Sequence, residues 1–322
     1  MNHSTGPTQP PRPRPDRRSA WTLLRPRQWA KSVFVLVGPV YGLTEPGRTA
    51  AEVLPGALAA AAAFALVSSA CYIFNDILDA PRDRLHPRKK HRPIASGAVA
   101  PGPAWGIAAS CFAAGLAVVV AMGAAWGWSA AWWTLACLLA YAGNVTLYSL
   151  VLKHVVMADV ISLSMGFVLR VLGGCAAAGI PPTTYLLNVV FFLAMFLSFC
   201  KRLGERRVMA RAGGDAHQVR AVQQAYTDDL LRMSVVVTAV ATLATYAGYI
   251  QAHEAEYFHG FNVLWLTIIP ATYGLLRAIV LVERGDYDDP TELASRDWQM
   301  QAAVVVFGAV AAAVVLWGRT PG

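Results

Sequence analysis

Long apolar stretches alternate with short polar segments along almost the whole chain. A membrane-spanning helix needs about 20 mostly apolar residues, and nine stretches approach or reach that length. We therefore predict an all-α polytopic membrane protein with nine transmembrane helices forming a helical bundle. The predicted spans are residues 30–44, 54–78, 103–124, 128–148, 155–178, 183–200, 230–251, 261–282 and 299–318, of which the first is the shortest.

Composition supports the membrane assignment. Hydrophobic residues make up 56% of the 322 positions and charged residues 14%, whereas soluble domains carry about 25% charged residues. The net charge of +8 comes from basic residues in short loops between apolar stretches, so it does not indicate nucleic-acid binding. We expect a multi-pass protein of the inner (plasma) membrane.

The distribution of Lys and Arg predicts the orientation. With nine spans, all of the 27 basic residues fall on one side except Arg48, Arg170 and Arg319. By the positive-inside rule this side is the cytoplasm, so the N-terminus is predicted inside and the C-terminus outside. The long charged loops 81–102 and 201–229 then place the active site on the cytoplasmic face. We expect residues 1–20 to be a disordered basic tail and residues 21–322 to form one membrane domain.

A group of acids follows the second apolar stretch. Asp76, Asp79 and Asp83 are spaced i, i+3 and i+7, which places them on one face of a helix. Such carboxylates repel each other unless a cation lies among them, and oxygen ligands favour Mg²⁺. Asn75 can orient the acids by hydrogen bonding. The alternative is a helix-end cluster paired with local basic residues. Pro81 should kink or end the helix, which leaves the position of Asp83 open.

Other polar residues at the cytoplasmic ends of the predicted helices are candidates for binding substrate. Basic residues can hold phosphate groups by charge-assisted hydrogen bonds, although positive-inside topology and interfacial anchoring are the alternatives, as for Arg25 and Arg27. Arg170 is a lone intramembrane cation and needs a partner; Asp159 lies about 16 Å away along the same helix. The candidates are Gln28, Lys31, Lys90, Arg92, Tyr148, Lys153, Asp159, Arg170, Lys201, Arg202 and Glu205.

The chain resembles the UbiA superfamily of membrane prenyltransferases. The resemblance is carried by Asn75-Asp76-x-x-Asp79-x-x-x-Asp83, by Arg92-Pro-Ile-Ala-Ser-Gly97 and by the nine predicted spans. It implies a UbiA-like helical bundle with a cytoplasm-facing cavity, Mg²⁺ as cofactor, and Asp76, Asp79 and Asp83 as metal ligands and catalytic residues together with Asn75.

Within the superfamily the chain is most similar to phosphoribosyltransferases that act on polyprenyl phosphate. The similar stretches are 24–31, 148–154, 169–174, Lys201-Arg202 with Glu205, and Arg296-Asp297. Aromatic prenyltransferases of the superfamily carry a second Asp-rich motif after helix 6, where this chain has Lys-Arg-Leu-Gly-Glu-Arg-Arg, residues 201–207. A second departure from the family pattern is Pro81 within the first motif.

This resemblance implies transfer of 5-phosphoribosyl from phosphoribosyl diphosphate to a decaprenyl-type phosphate, giving a precursor of lipid-linked arabinose for the cell envelope. Two alternatives remain from the sequence: prenyl transfer from a prenyl diphosphate to an aromatic or polar acceptor, and a non-enzymatic lipid-binding or transport protein. The sequence leaves open whether the protein forms a homo-oligomer.

Overall fold

A computed structural model describes residues 17–43, 47–85, 89–211, 226–252, 257–258, 261–285 and 296–317. These residues are almost entirely helical. The helices are α1 Arg17–Leu23, α2 Phe34–Gly42, α3 Ala50–Asp83, α4 Pro101–Trp126, α5 Trp128–Leu150, α6 Ala158–Ala178, α7 Thr184–Arg211, α8 Asp228–Ala252, α9 Ile268–Glu283 and α10 Trp298–Trp317.

Short elements connect the long helices. Four 3-10 helices span Pro26–Val33, Lys89–His91, Leu152–His154 and Val263–Thr267. Strands β1 (Tyr257–Phe258) and β2 (Phe261–Asn262) form an antiparallel hairpin. Most of the predicted tail, residues 1–16, lies outside the described residues. Residues 17–20 of the predicted tail lie in α1.

The all-α membrane fold is confirmed. In the described part of the chain, seven helices are long and apolar enough to cross a membrane: α3 to α8, and the continuous helix Val263–Glu283. Two further apolar helices, α2 and α10, occupy the predicted first and last spans but are shorter in apolar length. The prediction of nine crossings therefore stays a prediction, although every predicted span contains a helix.

Two helices extend beyond their predicted ends. Pro81 is expected from the sequence to kink or end the helix, and α3 does not end there but continues to Asp83. Proline removes one backbone hydrogen bond, and α3 stops only two residues later, so little further helix depends on it. Helix α7 continues to Arg211 because the Lys, Arg, Glu and Leu residues after its apolar part are strong helix formers.

Two apolar clusters are the largest among the described residues, and α6 packs against helices that contribute to each. One core joins α2, α3, α4 and α5 around Phe64, and the other joins α6 to α10 around Phe196 and Phe199. Helix α6 packs on α2, α3, α5 and α7. Its approach to α2 requires glycine, since a Cβ on Gly174 would lie 1.7 Å from the carbonyl oxygen of Val35. Small residues allow such close helix packing in membranes.

The segment after α3 folds back toward the bundle. Ile94 and Val99 are buried, and both pack in a third apolar cluster with α3 and α4. The backbone N–H of Val99 donates to the carbonyl of Pro93, and that of Ser96 to the carbonyl of Arg92. These contacts fix the backbone of Arg92 beside the end of α3.

Candidate active site

Three carboxylates lie at the cytoplasmic end predicted for α3. Asp76 and Asp83 are buried, and Asp79 is half-buried. The Asn75 amide donates to Asp79 Oδ2 at 2.9 Å, as expected for a residue that orients the acids. We call Asp76, Asp79 and Asp83 with their ion-pair partners the three-acid cluster.

Arg25 is the first partner of the cluster. Its Nη2 donates to both carboxylate oxygens of Asp76, at 2.6 and 2.8 Å, and its guanidinium lies 5.3 Å from the ring centroid of Tyr72. The backbone of Arg25 has φ 53° and ψ 58°, a left-handed conformation that costs a non-glycine residue about 1–3 kcal/mol. The buried carboxylate and the following 3-10 helix hold it there.

The segment that carries Arg25 is fastened to α3. Trp29 Nε1 donates to Ser69 Oγ at 2.9 Å, and that hydroxyl donates to the carbonyl of Leu24 at 2.8 Å. Gln28 and Lys31 lie on the same 3-10 helix and are half-buried. The predicted ligand contacts of these two residues remain predictions, whereas Arg25 itself reaches the acids.

Arg92 joins two of the acids. Its Nη1 lies 3.1 Å from Asp76 Oδ1 and 2.7 Å from Asp83 Oδ2. One nitrogen therefore occupies a position between two carboxylates that repel each other, where a cation lowers their energy. The predicted contact of Arg92 with ligand stays a prediction. Asp83 keeps the helical register of Asp76 because α3 continues as far as Asp83.

Lys153 completes the cluster from the other side. It lies in the 3-10 helix after α5, and its Nζ is 2.7 Å from Asp79 Oδ1. Among the described ion pairs, three cations thus face three acids, and these charges balance. The side chains of Arg25 and Arg92 are 23% and 25% exposed, but that of Asp76 is 2% exposed. The side chains of these two arginines are therefore partly exposed, while that of Asp76 is buried.

A second group of charges lies at the junction of α6, α7 and α8. Arg202 Nη2 is 2.6 Å from Asp159 Oδ2, and both side chains are at most 7% exposed. The Tyr226 hydroxyl donates to Asp159 Oδ1 at 2.7 Å and accepts a hydrogen bond from the Met157 N–H at 2.7 Å. We call Asp159, Arg202 and Tyr226 the Asp159 network.

Charged residues continue outward from this network. Arg206 and Arg207 pair with Asp228 at 2.7 Å each, and Arg207 and Arg232 pair with Glu283. The basic run at the end of α7 is thus largely engaged by acids of the same chain. Lys201 is exposed and Glu205 half-buried on this helix, and both make polar or charged interactions of their own.

Arg170 lies deep in the bundle and is 3% exposed. Its Nη2 donates to the hydroxyls of Ser68 at 3.0 Å and Tyr141 at 2.7 Å, and its guanidinium stacks 4.3 Å from the Tyr141 ring centroid. The predicted need for a partner is met by α3 and α5. The structure does not bring Arg170 to Asp159, as expected from their separation along α6.

Two further candidates are Lys90 and Tyr148, whose predicted contacts with ligand stay predictions. Lys90 is exposed in the 3-10 helix Lys89–His91, and Tyr148 is half-buried near the end of α5. Sequence reasoning undervalued Arg25 and missed Tyr226. The Arg-Pro-Arg-Gln-Trp run of residues 25–29 contained the signal for Arg25, whereas no local pattern marks Tyr226.

The donor set suits Mg²⁺ only together with a substrate. Among the described residues, no group of three or more His, Cys, Asp or Glu side chains could hold a metal ion alone. Carboxylate oxygens nevertheless suit Mg²⁺, which usually binds through one or two carboxylates plus substrate phosphates. The Arg92 nitrogen between Asp76 and Asp83 shows that a cation can sit there. The residues therefore fit a metal that arrives with phosphate ligands.

Comparison with known proteins gives a matching family and similar relatives. The model of the UbiA prenyltransferase family matches residues 32–305. A decaprenyl-phosphate phosphoribosyltransferase of Mycobacterium tuberculosis is 31% identical over 298 residues, covering 92% of this chain and 93% of the relative. One from Mycolicibacterium smegmatis is 30% identical over 300 residues, covering 90% and 91%.

Solved structures share the fold. A UbiA homolog from Archaeoglobus fulgidus, solved with GPP and Mg²⁺ bound, superposes with a TM-score of 0.64 at 18% sequence identity. The match covers 93% of this chain and 98% of that one. At this identity the likeness establishes a common helical fold.

Proposed function

Because the chain belongs to the UbiA prenyltransferase family, we propose that it transfers 5-phosphoribosyl from phosphoribosyl diphosphate to a polyprenyl phosphate. The products are polyprenylphosphoryl-5-phosphoribose and diphosphate. The protein is an integral membrane transferase, and the names of its relatives support a decaprenyl-type lipid as acceptor. We further propose that the product is a precursor of lipid-linked arabinose, and that the protein lies in the inner membrane with its N-terminus and active site at the cytoplasm.

The observation that carries the proposal is the charge balance of the three-acid cluster. Each acid is already paired with Arg25, Arg92 or Lys153, so a metal ion alone would add uncompensated positive charge. A metal–diphosphate complex brings both positive and negative charge. Its phosphates can bind the basic side chains while the acids bind the metal. Phosphoribosyl diphosphate brings such a group.

The bond that breaks joins C1 of the ribose to the diphosphate. Arg25, Arg92 and Lys153 would turn toward the diphosphate and stabilise the negative charge that it gains on leaving. Asp76, Asp79 and Asp83 would hold Mg²⁺, which when bound neutralises part of the diphosphate charge. Asn75 would keep Asp79 oriented through its amide.

The bond that forms joins C1 to an oxygen of the lipid phosphate. That oxygen is already anionic, so the step needs no strong general base, and the ribose carries oxocarbenium character as the diphosphate departs. The sequence candidates for the lipid phosphate and the ribose 5-phosphate are Lys31, Lys153, Arg170, Lys201 and Arg202, of which Lys153 is engaged with Asp79. Lys90 stays a candidate for ligand contact. Arg202 is engaged with Asp159, which favours a positioning role. Asp159 or Glu205 is the candidate for binding the ribose hydroxyls, and Gln28 and Tyr148 are further candidates for substrate contact.

The test is transfer by the purified protein in lipid nanodiscs. Phosphoribosyl diphosphate labelled in the ribose is mixed with Mg²⁺ and decaprenyl phosphate, and label in the organic phase is counted. We expect label transfer that needs all three components. A parallel assay uses a labelled prenyl diphosphate and an aromatic acceptor. Prenyl transfer in that assay, without phosphoribosyl transfer in the first, would contradict the proposal. Absence of both reactions, in protein that remains folded, would favour a lipid-binding role.

A further inference from the structure

The turn between α5 and α6 carries Lys153. Two backbone hydrogen bonds shape its beginning, from His154 N–H to the carbonyl of Val151 and from Val155 N–H to the carbonyl of Leu152, both at 3.0 Å. Lys153 lies within this turn, and its Nζ is 2.7 Å from Asp79 Oδ1. Its place in the three-acid cluster therefore depends on the backbone of the turn.

The turn ends in a strained residue. Met157 has φ 67° and ψ −43°, which is close to the rare classic γ-turn and is disfavoured for any residue with a side chain. Such a conformation persists when its surroundings hold it. The Met157 N–H donates to the Tyr226 hydroxyl at 2.7 Å, so Tyr226 contacts the strained peptide itself.

The Tyr226 hydroxyl both accepts and donates a hydrogen bond. It accepts from Met157 and donates to Asp159 Oδ1. Burial and the hydrogen bond to Asp159 raise the pKa of Tyr226 to about 12, so the hydroxyl keeps its proton at neutral pH. Arg206 also donates to the carbonyl of Tyr226 at 2.6 Å, which holds the tyrosine backbone against α7.

We propose that Tyr226 is a positioning residue for Lys153. By holding the Met157 peptide against Asp159, its hydroxyl fixes the turn so that the Lys153 ammonium stays beside Asp79. Tyr226 acts through Lys153 and does not contact the reacting atoms. The inference rests on the proposed function, because it gives Lys153 its role toward the diphosphate.

The test is a double-mutant cycle of Tyr226→Phe and Lys153→Met. Tyr226→Phe removes the hydroxyl but keeps the ring that packs edge-on against Phe199 at 6.3 Å between centroids. We expect Tyr226→Phe alone to lower kcat/KM for phosphoribosyl transfer about tenfold, as for loss of one buried hydrogen-bond partner. In the Lys153→Met background we expect a further loss of less than about twofold.

Two results would overturn the inference. One is a tenfold loss from Tyr226→Phe that persists in the Lys153→Met background, since a general loss of structure multiplies with any other defect. The other is unchanged kcat/KM in Tyr226→Phe. Tyr246→Phe is the matched control. It removes the hydroxyl of a tyrosine on α8 that is hydrogen-bonded to the Thr267 hydroxyl at 2.6 Å. We expect the control to keep at least about half of the wild-type activity.

A binding measurement separates this inference from the proposed function. The affinity of each variant for inorganic diphosphate with Mg²⁺ is measured by calorimetry, with neither ribose nor lipid present. We expect the same non-additive pattern, with Tyr226→Phe and Lys153→Met weakening binding by similar factors. If this pattern holds but no phosphoribosyl transfer occurs, the proposed function fails and the positioning role stands. Additive losses of binding would overturn the positioning role whatever the reaction is.

Discussion

The three-acid cluster and the Asp159 network use the same kinds of ion pair in different surroundings. Arg25–Asp76 and Arg202–Asp159 are both 2.6 Å long. The Arg25 side chain, however, is 23% exposed and that of Arg202 is 7% exposed. An exposed cation can exchange its carboxylate for another anion at little cost, whereas a buried one would leave an uncompensated charge. The first region is thus suited to binding ligand and the second to fixing structure.

The largest expected effect is on stability. Arg202→Met leaves the Asp159 carboxylate buried without its charge partner, and breaking a buried pair in this way costs about 3–5 kcal/mol. We expect a marked fall in the unfolding temperature in detergent. Arg92→Met is the comparison in the three-acid cluster, where we expect a smaller cost because Arg92 is partly exposed and Arg25 still pairs with Asp76. Equal destabilisation by the two variants would contradict the distinction between the regions.

The next effect is on turnover. Asp76→Asn removes the charge that binds Arg25 and that we assign to the metal–diphosphate, so we expect transfer to fall about 10²–10³-fold. The unfolding temperature should change little, because the amide can still accept from Arg25. Asp229→Asn, in the first turn of α8, is the control and should retain nearly full activity. Wild-type turnover in Asp76→Asn would remove the assignment.

Lys153→Met should have a smaller effect. It removes one charge-assisted hydrogen bond, worth about 1.5–3 kcal/mol, and we expect kcat/KM to fall about 10–100-fold. Lys153→Arg keeps the charge and should recover part of the loss. If Lys153→Met reduced the unfolding temperature as strongly as Arg202→Met, Lys153 would belong with the structural residues.

The smallest effect should come from Arg82→Gln. Arg82 is an exposed residue on α3, between the acids along the chain, and the described contacts of the three-acid cluster do not include it. We expect phosphoribosyl transfer to stay within about twofold of wild type, since surface substitutions change little. A loss comparable to that of Lys153→Met would show that the cluster extends to the exposed face of α3.

Local patterns allowed much of this arrangement to be predicted. The i, i+3, i+7 spacing identified the acids, and the charged Arg92 run beside them identified one partner. For Arg25 the sequence left phosphate binding and interfacial anchoring as alternatives. Its contact with Asp76, 51 residues away, depends on a left-handed backbone that local patterns do not reveal. Tyr226 carried no signal, because its partners Met157 and Asp159 lie far from it in sequence.

The sequence by itself determined the membrane fold, the family and the three acids, because apolar length and helical periodicity are local properties of the chain. The tertiary structure decided which cation neutralises which acid. It also separated the accessible pairs of the three-acid cluster from the buried pair of the Asp159 network. Both results depend on the distances between segments that are remote in sequence and on the burial of the paired side chains. These two quantities set the free energy needed to separate an ion pair.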